Sequence, residues 1–247
     1  MVAEALIVKE AKDILREWVQ GSENIVFFGG AGVSTESGIP DFRSEDGLYR
    51  QSFRYPPETM LSHTFFLRHT AEFFAFYRAK MIPRGAKPNP AHCALARWEK
   101  EGRLRAVVTQ NIDGLHQLAG SKNVLELHGS IHRNHCMRCG NFYPLSAIEE
   151  SEGVPHCACG GTIKPDVVLY EEPLDEAVWA AAVRAIAAAD VLIVGGTSLT
   201  VYPAAALLDA YCGQKLVLIN RDATARDNAA NLVLRGSIGE IFSSLKV

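Results

Sequence analysis

Apolar residues in this chain follow two recurring patterns. Over residues 3–19, Ala3, Leu6, Ile7, Ala11, Ile14, Leu15 and Trp18 recur at helical spacing with charges between them, which predicts an amphipathic helix ending near Gly21. Residues 24–28 then form a short apolar run of the kind that buried strands carry, stopping at Gly29-Gly30-Ala31-Gly32. Similar runs recur at 104–108, 124–127, 191–194, 216–219 and 232–234, with helical stretches between them, notably 175–189 and 202–212. Strands alternating with helices predict an α/β fold with a parallel sheet covered on both faces. Two segments break the alternation. Residues 45–88 hold an aromatic-rich helical patch (Phe65, Phe66, Phe73, Phe74, Phe76, Tyr77), and residues 131–170 hold two close cysteine pairs. Both read as insertions into the sheet domain.

Composition narrows the function classes. With 247 residues, 48% hydrophobic and 21% charged, the chain can bury a sizeable core, and wholesale disorder is excluded. A net charge of −3 provides no bulk basic field for nucleic acid or anionic lipid, so neither is expected as a partner. No apolar run approaches the ~20 residues of a spanning helix. Glu4, Lys9 and Glu10 interrupt the stretch a signal peptide would need. Six cysteines, four of them in two pairs, are too sparse for a disulfide scaffold and point to metal in a reducing compartment, hence a cytoplasmic location.

The candidate chemistry sits at strand exits. Gly29-Gly30-Ala31-Gly32-Val33-Ser34 lets backbone N–H groups approach a pyrophosphate, although its spacing is not the usual G-x-G-x-x-G. Val194-Gly195-Gly196-Thr197-Ser198 and Ile219-Asn220-Arg221-Asp222 are further exits of this kind. Three such exits favour a dinucleotide over plain turns, because ligands of open α/β sheets lie beyond the carboxyl ends of the strands. Cys136-x-x-Cys139 and Cys157-x-Cys159, each trailed by glycine, suit a tetrahedral four-thiolate zinc site. His135 and His156 are adjacent alternatives, and Cys93 and Cys212, in helical contexts, are expected as core thiols. Thr109-Gln110-Asn111-Ile112-Asp113-Gly114 follows one strand and Leu127-His128-Gly129 ends the next. A histidine there can serve as a general base, with His92, His132 and His135 as competitors away from strand exits.

Together, Gly30-Ala31-Gly32-Val33-Ser34, Gly38-Ile39-Pro40-Asp41-Phe42-Arg43, Thr109 to Asp113, Leu127-His128-Gly129, the cysteine pairs, Pro165-Asp166-Val167-Val168, Gly196-Thr197-Ser198-Leu199 and Ile219-Asn220 resemble the sirtuins, the NAD-dependent protein lysine deacylases. The motifs keep the family's order from about residue 24 to 240, and the short termini resemble the compact bacterial members. The resemblance implies a Rossmann-type domain (1–44, 89–130 and 171–247), a helical module (45–88) and a zinc module (131–170). It further implies a monomer that acts on acylated lysine proteins, with NAD and one structural zinc ion. Ala31, Thr35, Phe42 and Arg43 would belong to the loop over the nicotinamide ribose and phosphates, after Gly30. Gln110 would contact ribose, and Asn111 would orient ribose or water. Ile112 and Asp113 would hold the carboxamide, Thr197 and Ser198 phosphate, and Asn220 the adenine ribose. His128 would be the general base, with Asn111 and Asp113 completing the catalytic set. Val168, Tyr170 and Val201 would flank the substrate backbone. The products would be free lysine, nicotinamide and 2′-O-acetyl-ADP-ribose. Alternatives are a mono-ADP-ribosyltransferase and an NAD-sensing binding module.

Two departures from the family pattern stand out. The substrate loop usually reads Phe-Gly-Glu, and here it reads Tyr170-Glu171-Glu172. That raises the question of the loop's backbone, and its two carboxylates would favour basic residues beside the lysine. Members that prefer succinyl or malonyl groups carry Tyr-x-x-Arg in the helical module. The matching positions here are Phe74 and Tyr77, which implies an apolar acyl pocket, although Tyr77-Arg78-Ala79-Lys80 offers a shifted match.

Overall fold

The computed structural model describes residues 2–41, 47, 53–245 and 247. Helix α1 (Val2–Gln20) turns its Leu15 and Val19 inward and ends before Gly21. Strand β1 (Ile25–Gly29) is buried along its whole length. Among the described residues, helices α2 (Pro57–Met60), α3 (His63–Arg68) and α4 (Thr70–Lys80) come next after two short 3-10 turns. Helix α5 (Pro90–Lys100) begins with Pro90 in its first turn and with the Asn89 side chain accepting from Ala91 N at 2.9 Å, two standard start signals. Strand β2 (Leu104–Thr109), helix α6 (Leu115–Leu118) and strand β3 (Val124–Glu126) come next. The cysteine segment contributes β4 (Gly129–Cys136), β5 (Phe142–Tyr143), α7 (Ser146–Glu149) and β6 (Ile163–Val167). The chain then returns through α8 (Glu176–Ala187), β7 (Val191–Gly195), β8 (Leu216–Asn220), β9 (Leu232–Arg235) and α9 (Ile238–Leu245).

The strands of the larger sheet run in the order β3-β2-β1-β7-β8-β9, every pairing parallel. This is the α/β arrangement anticipated from the apolar runs. Side chains of β1 alternate between the two faces, as the two-residue repeat of a strand requires. Ile25 and Phe27 join Trp98, Leu95 and Phe242 on the face covered by α1, α5 and α9. Val26 and Phe28 join Ala182, Ile186 and Leu207 on the opposite face, under α8. Residues Ala204–Ala210, read as ordinary helix from sequence, form a 3-10 helix instead. The strand order reverses between β1 and β7, and this crevice is where such sheets hold ligands.

The smaller sheet is antiparallel, in the order β5-β4-β6. Phe65, Phe66, Phe73, Phe74 and Tyr77 of the helical segment pack with Ile131, Ile148 and Ile163 of the cysteine segment. The two insertions therefore share one apolar core, separate from those on the large sheet. Cys93 and Cys212 are exposed, contrary to the core thiols expected, because Cys93 lies on the solvent side of α5 and Cys212 lies in the loop before β8. No helix among the described residues is long and apolar enough to cross a membrane.

Candidate active site

A cleft of about 480 Å³ opens between the carboxyl ends of the large sheet and the smaller lobe. The loops after β1 and β7 approach closely to form its floor. Gly30 N donates to Gly195 O at 3.2 Å, and Gly32 N to Gly196 O at 2.8 Å. A Cβ on Gly32 would lie 2.8 Å from Gly196 Cα, so only glycine allows this approach. Gln110 N donates to Gly29 O at 2.9 Å and brings the β2 exit alongside.

Every described residue singled out from sequence for the nucleotide or substrate lines this cleft. Gly30, Ala31 and Thr35 come from the first exit, and Gln110, Asn111, Ile112 and Asp113 from the second. His128 follows β3, while Thr197, Ser198 and Val201 follow β7. Asn220 ends β8, and Val168 and Tyr170 follow β6. Phe42 and Arg43, assigned above to the loop over the ribose and phosphates, lie outside the described residues.

At the centre is a chain of polar side chains. Ser34 Oγ donates to Asp113 Oδ2 at 2.7 Å and accepts from Asn111 Nδ2 at 3.0 Å. Asp113 Oδ1 accepts from Leu115 N at 2.9 Å. Both carboxylate oxygens are therefore aimed by short bonds. Ser34, 1% exposed, ties the pair together; the sequence marks it only by its place in the Gly30–Ser34 motif. His128 Nδ1 lies 3.0 Å from the Gln110 carbonyl, which only accepts. That contact puts the proton of the neutral ring on Nδ1 and leaves Nε2 as the basic nitrogen. Burial lowers the His128 pKa, and the Gln110 carbonyl offsets part of the shift. Among the described residues, His128 is the one histidine lining the cleft. His92 is buried, its Nδ1 accepting from Asn89 N at 3.3 Å. His132 Nε2 bonds Asp113 O at 3.1 Å and His135 Nδ1 bonds Asp166 at 2.8 Å, but neither ring lines the cleft, so neither competes as base.

The nucleotide end also fits a dinucleotide. Asn220 Oδ1 accepts from Thr197 N at 3.0 Å, while its buried Nδ2 has no protein partner. An unmatched donor at the edge of a cleft suits a ribose hydroxyl, since burying it unpaired costs about 1–3 kcal/mol. Gln110 Nε2 donates to Thr197 Oγ1 at 3.0 Å and joins two of the exits.

The substrate loop keeps a left-handed turn without glycine. Glu171 has φ of 76°. For a residue with a Cβ this costs about 1–2 kcal/mol. Its carboxylate accepts from Thr64 N at 2.8 Å. Glu172 is bound by Leu169 N at 2.8 Å, Lys164 Nζ at 3.1 Å and His63 Nδ1 at 2.8 Å. Both carboxylates are thus engaged within the protein, which weakens the case for basic residues beside the lysine. In the helical segment Phe74 and Tyr77 are fully buried. Arg78 is committed to Ile148 O, Ser151 Oγ and Gly153 O at 2.6–2.7 Å, so the shifted match provides no available arginine.

Away from the cleft, the sulfurs of Cys136, Cys139, Cys157 and Cys159 lie within 4.8 Å of one another. Cys136–Cys159 and Cys139–Cys157 are each 3.5 Å apart. Tetrahedral zinc with Zn–S of about 2.3 Å needs edges near ~3.8 Å, so the donor set fits that ion. Arg138 N and Cys159 N point at the Cys136 and Cys157 sulfurs from 3.4 and 3.5 Å. A Cβ on Gly161 would sit 2.7 Å from Cys136 Sγ, which accounts for the trailing glycine. His135 and His156 are not part of the cluster. The four cysteines are positioned to bind one structural zinc ion.

Comparison with known proteins follows the same lines. A family model described as the Sir2 family matches residues 30–203. An NAD-dependent protein deacetylase of Clostridium acetobutylicum is 61% identical over 242 residues, covering 96% of this chain and 97% of the relative. One from Cutibacterium acnes is 54% identical over 234 residues, covering 94% and 96%. Among solved structures, a Sir2–p53 peptide–NAD+ complex matches with a TM-score of 0.83 and 38% identity, covering 95% of this chain and 96% of that one. A Sir2 variant with deacetylated p53 peptide and 3′-O-acetyl ADP ribose matches with a TM-score of 0.85 and 37% identity, covering 94% and 95%.

Proposed function

The chain belongs to the Sir2 family, and on that premise we propose that it is an NAD-dependent protein lysine deacetylase. The observation that carries this reading is the convergence of neutral His128 and the Ser34–Asn111–Asp113 chain on one cleft at the strand-order reversal. NAD, when bound, would supply an anomeric carbon able to release nicotinamide and so act as the electrophile for the acyl oxygen. Asp113 and Ile112 hold the carboxamide. Asn111 orients ribose or water, and Gln110 contacts ribose. Thr197 and Ser198 bind phosphate, and Asn220 meets the adenine ribose with its unpaired Nδ2. Ala31 and Thr35 line the cleft where the nicotinamide ribose would lie and help exclude water from the reacting carbon. His128 Nε2, left basic by the Nδ1 bond to Gln110 O, would accept a proton from the ribose hydroxyls. Val168, Tyr170 and Val201 flank the substrate backbone as an added strand. The zinc ion is structural and lies outside this chemistry. Arg78 is held by Ile148, Ser151 and Gly153 and so is not free to pair with an acyl carboxylate, which supports acetyl over succinyl or malonyl groups.

The test incubates the protein with acetyl-, succinyl- and malonyl-lysine peptides, with and without NAD, and follows nicotinamide and acyl-ADP-ribose. NAD-dependent release of both from the acetyl peptide is expected, far above a His128→Ala control. Labelled ADP-ribose retained on protein would instead support mono-ADP-ribosyl transfer, and NAD binding without turnover would support a sensing module.

A further inference from the structure

The strained turn at Glu171 calls for a compensating interaction. A side chain at φ of 76° persists only where its surroundings hold it. Here the surroundings are the first turn of α3 and the residues before it. Tyr170 N donates to Leu61 O at 3.0 Å, and His63 N donates to Tyr170 O at 2.9 Å. One residue on, the Glu171 carboxylate accepts from Thr64 N at 2.8 Å. This bond joins positions 107 apart in sequence and follows directly on the Tyr170 pairing. Glu172 N then returns to Leu169 O at 3.0 Å and closes the turn. Hydrogen bonds from Thr64 hold the Glu171 carboxyl below its ordinary range, so it is ionised at neutral pH.

We propose that Glu171 is a positioning residue for the acylated peptide. Its carboxylate staples the 170–172 turn to the helical lobe and so keeps the substrate-facing edge at Val168 and Tyr170 in register. The inference rests on the deacetylase reading of the cleft and deepens it. The glycine usual at this position would need no staple, because it adopts the left-handed turn freely. In this chain the carboxylate does what the missing conformational freedom would have done. Alanine retains the strain and removes the staple. Glutamine retains an oxygen that accepts from Thr64 N. Glycine removes the strain and the staple together.

The experiment measures KM separately for an acetyl-lysine peptide and for NAD in full-length wild type, Glu171→Ala, Glu171→Gln and Glu171→Gly, alongside melting temperature. Glu171→Ala is expected to raise the peptide KM about five- to tenfold with the NAD KM within twofold. Glu171→Gln and Glu171→Gly are expected to recover to within two- to threefold of wild type. A flat peptide KM across all three variants overturns the proposal. So does an equal loss in all three, which would mean that the charge itself meets the peptide, or an equal rise in both KM values, which would mean general destabilisation. Should the alanine variant fail to fold, Glu171→Gly and Glu171→Gln still decide the matter: a large rise in peptide KM in glycine with none in glutamine overturns the strain argument. A wild type that turns over no acetyl peptide is a different result, and it overturns the reading of the cleft itself.

Discussion

At His128 burial, partly offset by one hydrogen bond, sets the pH dependence of the reaction. The Gln110 carbonyl holds the Nδ1 proton, and burial disfavours the imidazolium. The base works only when neutral, so kcat/KM should fall as pH drops, with an acid limb below the ordinary histidine value of ~6.5. His128→Ala should lower kcat about 10²–10⁴-fold and remove that limb. A limb that persists in the variant would assign the titration to another group. His92 and His116 lie behind the site, their rings 4.7 Å apart. Burial pushes His92 down to about 4 despite the pull of Asp113, and burial with His92 nearby pushes His116 to about 3. An unfolded chain binds these protons near pH ~6.5, whereas the folded one does not until far lower. Stability is therefore full above that value and declines as pH falls toward the folded values. The urea midpoint should drop between pH 7 and 5, and drop less in His116→Leu. At this scale the sequence is informative where a residue type has few uses, as with His128 after an apolar run. Ser34 is harder to read, because a serine after glycines is also an ordinary turn residue and its bond to Asp113 spans 79 positions.

Elements were legible where the pattern was dense. The runs at 25–28, 191–194 and 216–219 are uniformly apolar because both faces of those strands are covered. β4 is interrupted by exposed His132 and Arg133 and includes an irregular register, so its alternation is weak. The 3-10 geometry of Ala204–Ala210 is invisible in composition, since alanine and leucine favour either helix. The distance between the β1 and β7 exits is likewise a property of two segments and not of one. It makes a sharp prediction for Gly32→Ala. The new Cβ meets the Gly196 backbone, which has no flexible side chain to yield. The floor of the cleft must spread, and NAD affinity measured by calorimetry should fall at least tenfold while the far-UV spectrum is unchanged. Wild-type affinity in this variant would mean that the two loops are free to part.

For the whole molecule, the decisive feature is that the two lobes are stabilised by different means. The large sheet is sandwiched between two apolar clusters of its own. The small lobe has a three-stranded sheet, a single apolar cluster and four thiolates gathered within 4.8 Å. Gathering four thiolates without a cation is unfavourable, so the metal contributes directly to the folding of that lobe. Trp98 is buried in the first large-sheet cluster, Trp18 packs on its edge, and Trp179 packs against the second. Tryptophan emission therefore reports the large lobe and is silent on the other. A chelator at neutral pH, or Cys136→Ser, should expose the 131–170 segment to protease and abolish deacetylation. The tryptophan-detected urea transition should keep most of its midpoint, because neither cluster around the large sheet includes a residue of that segment. A tryptophan transition that collapses along with the metal would instead mean that the lobes fold as one cooperative unit.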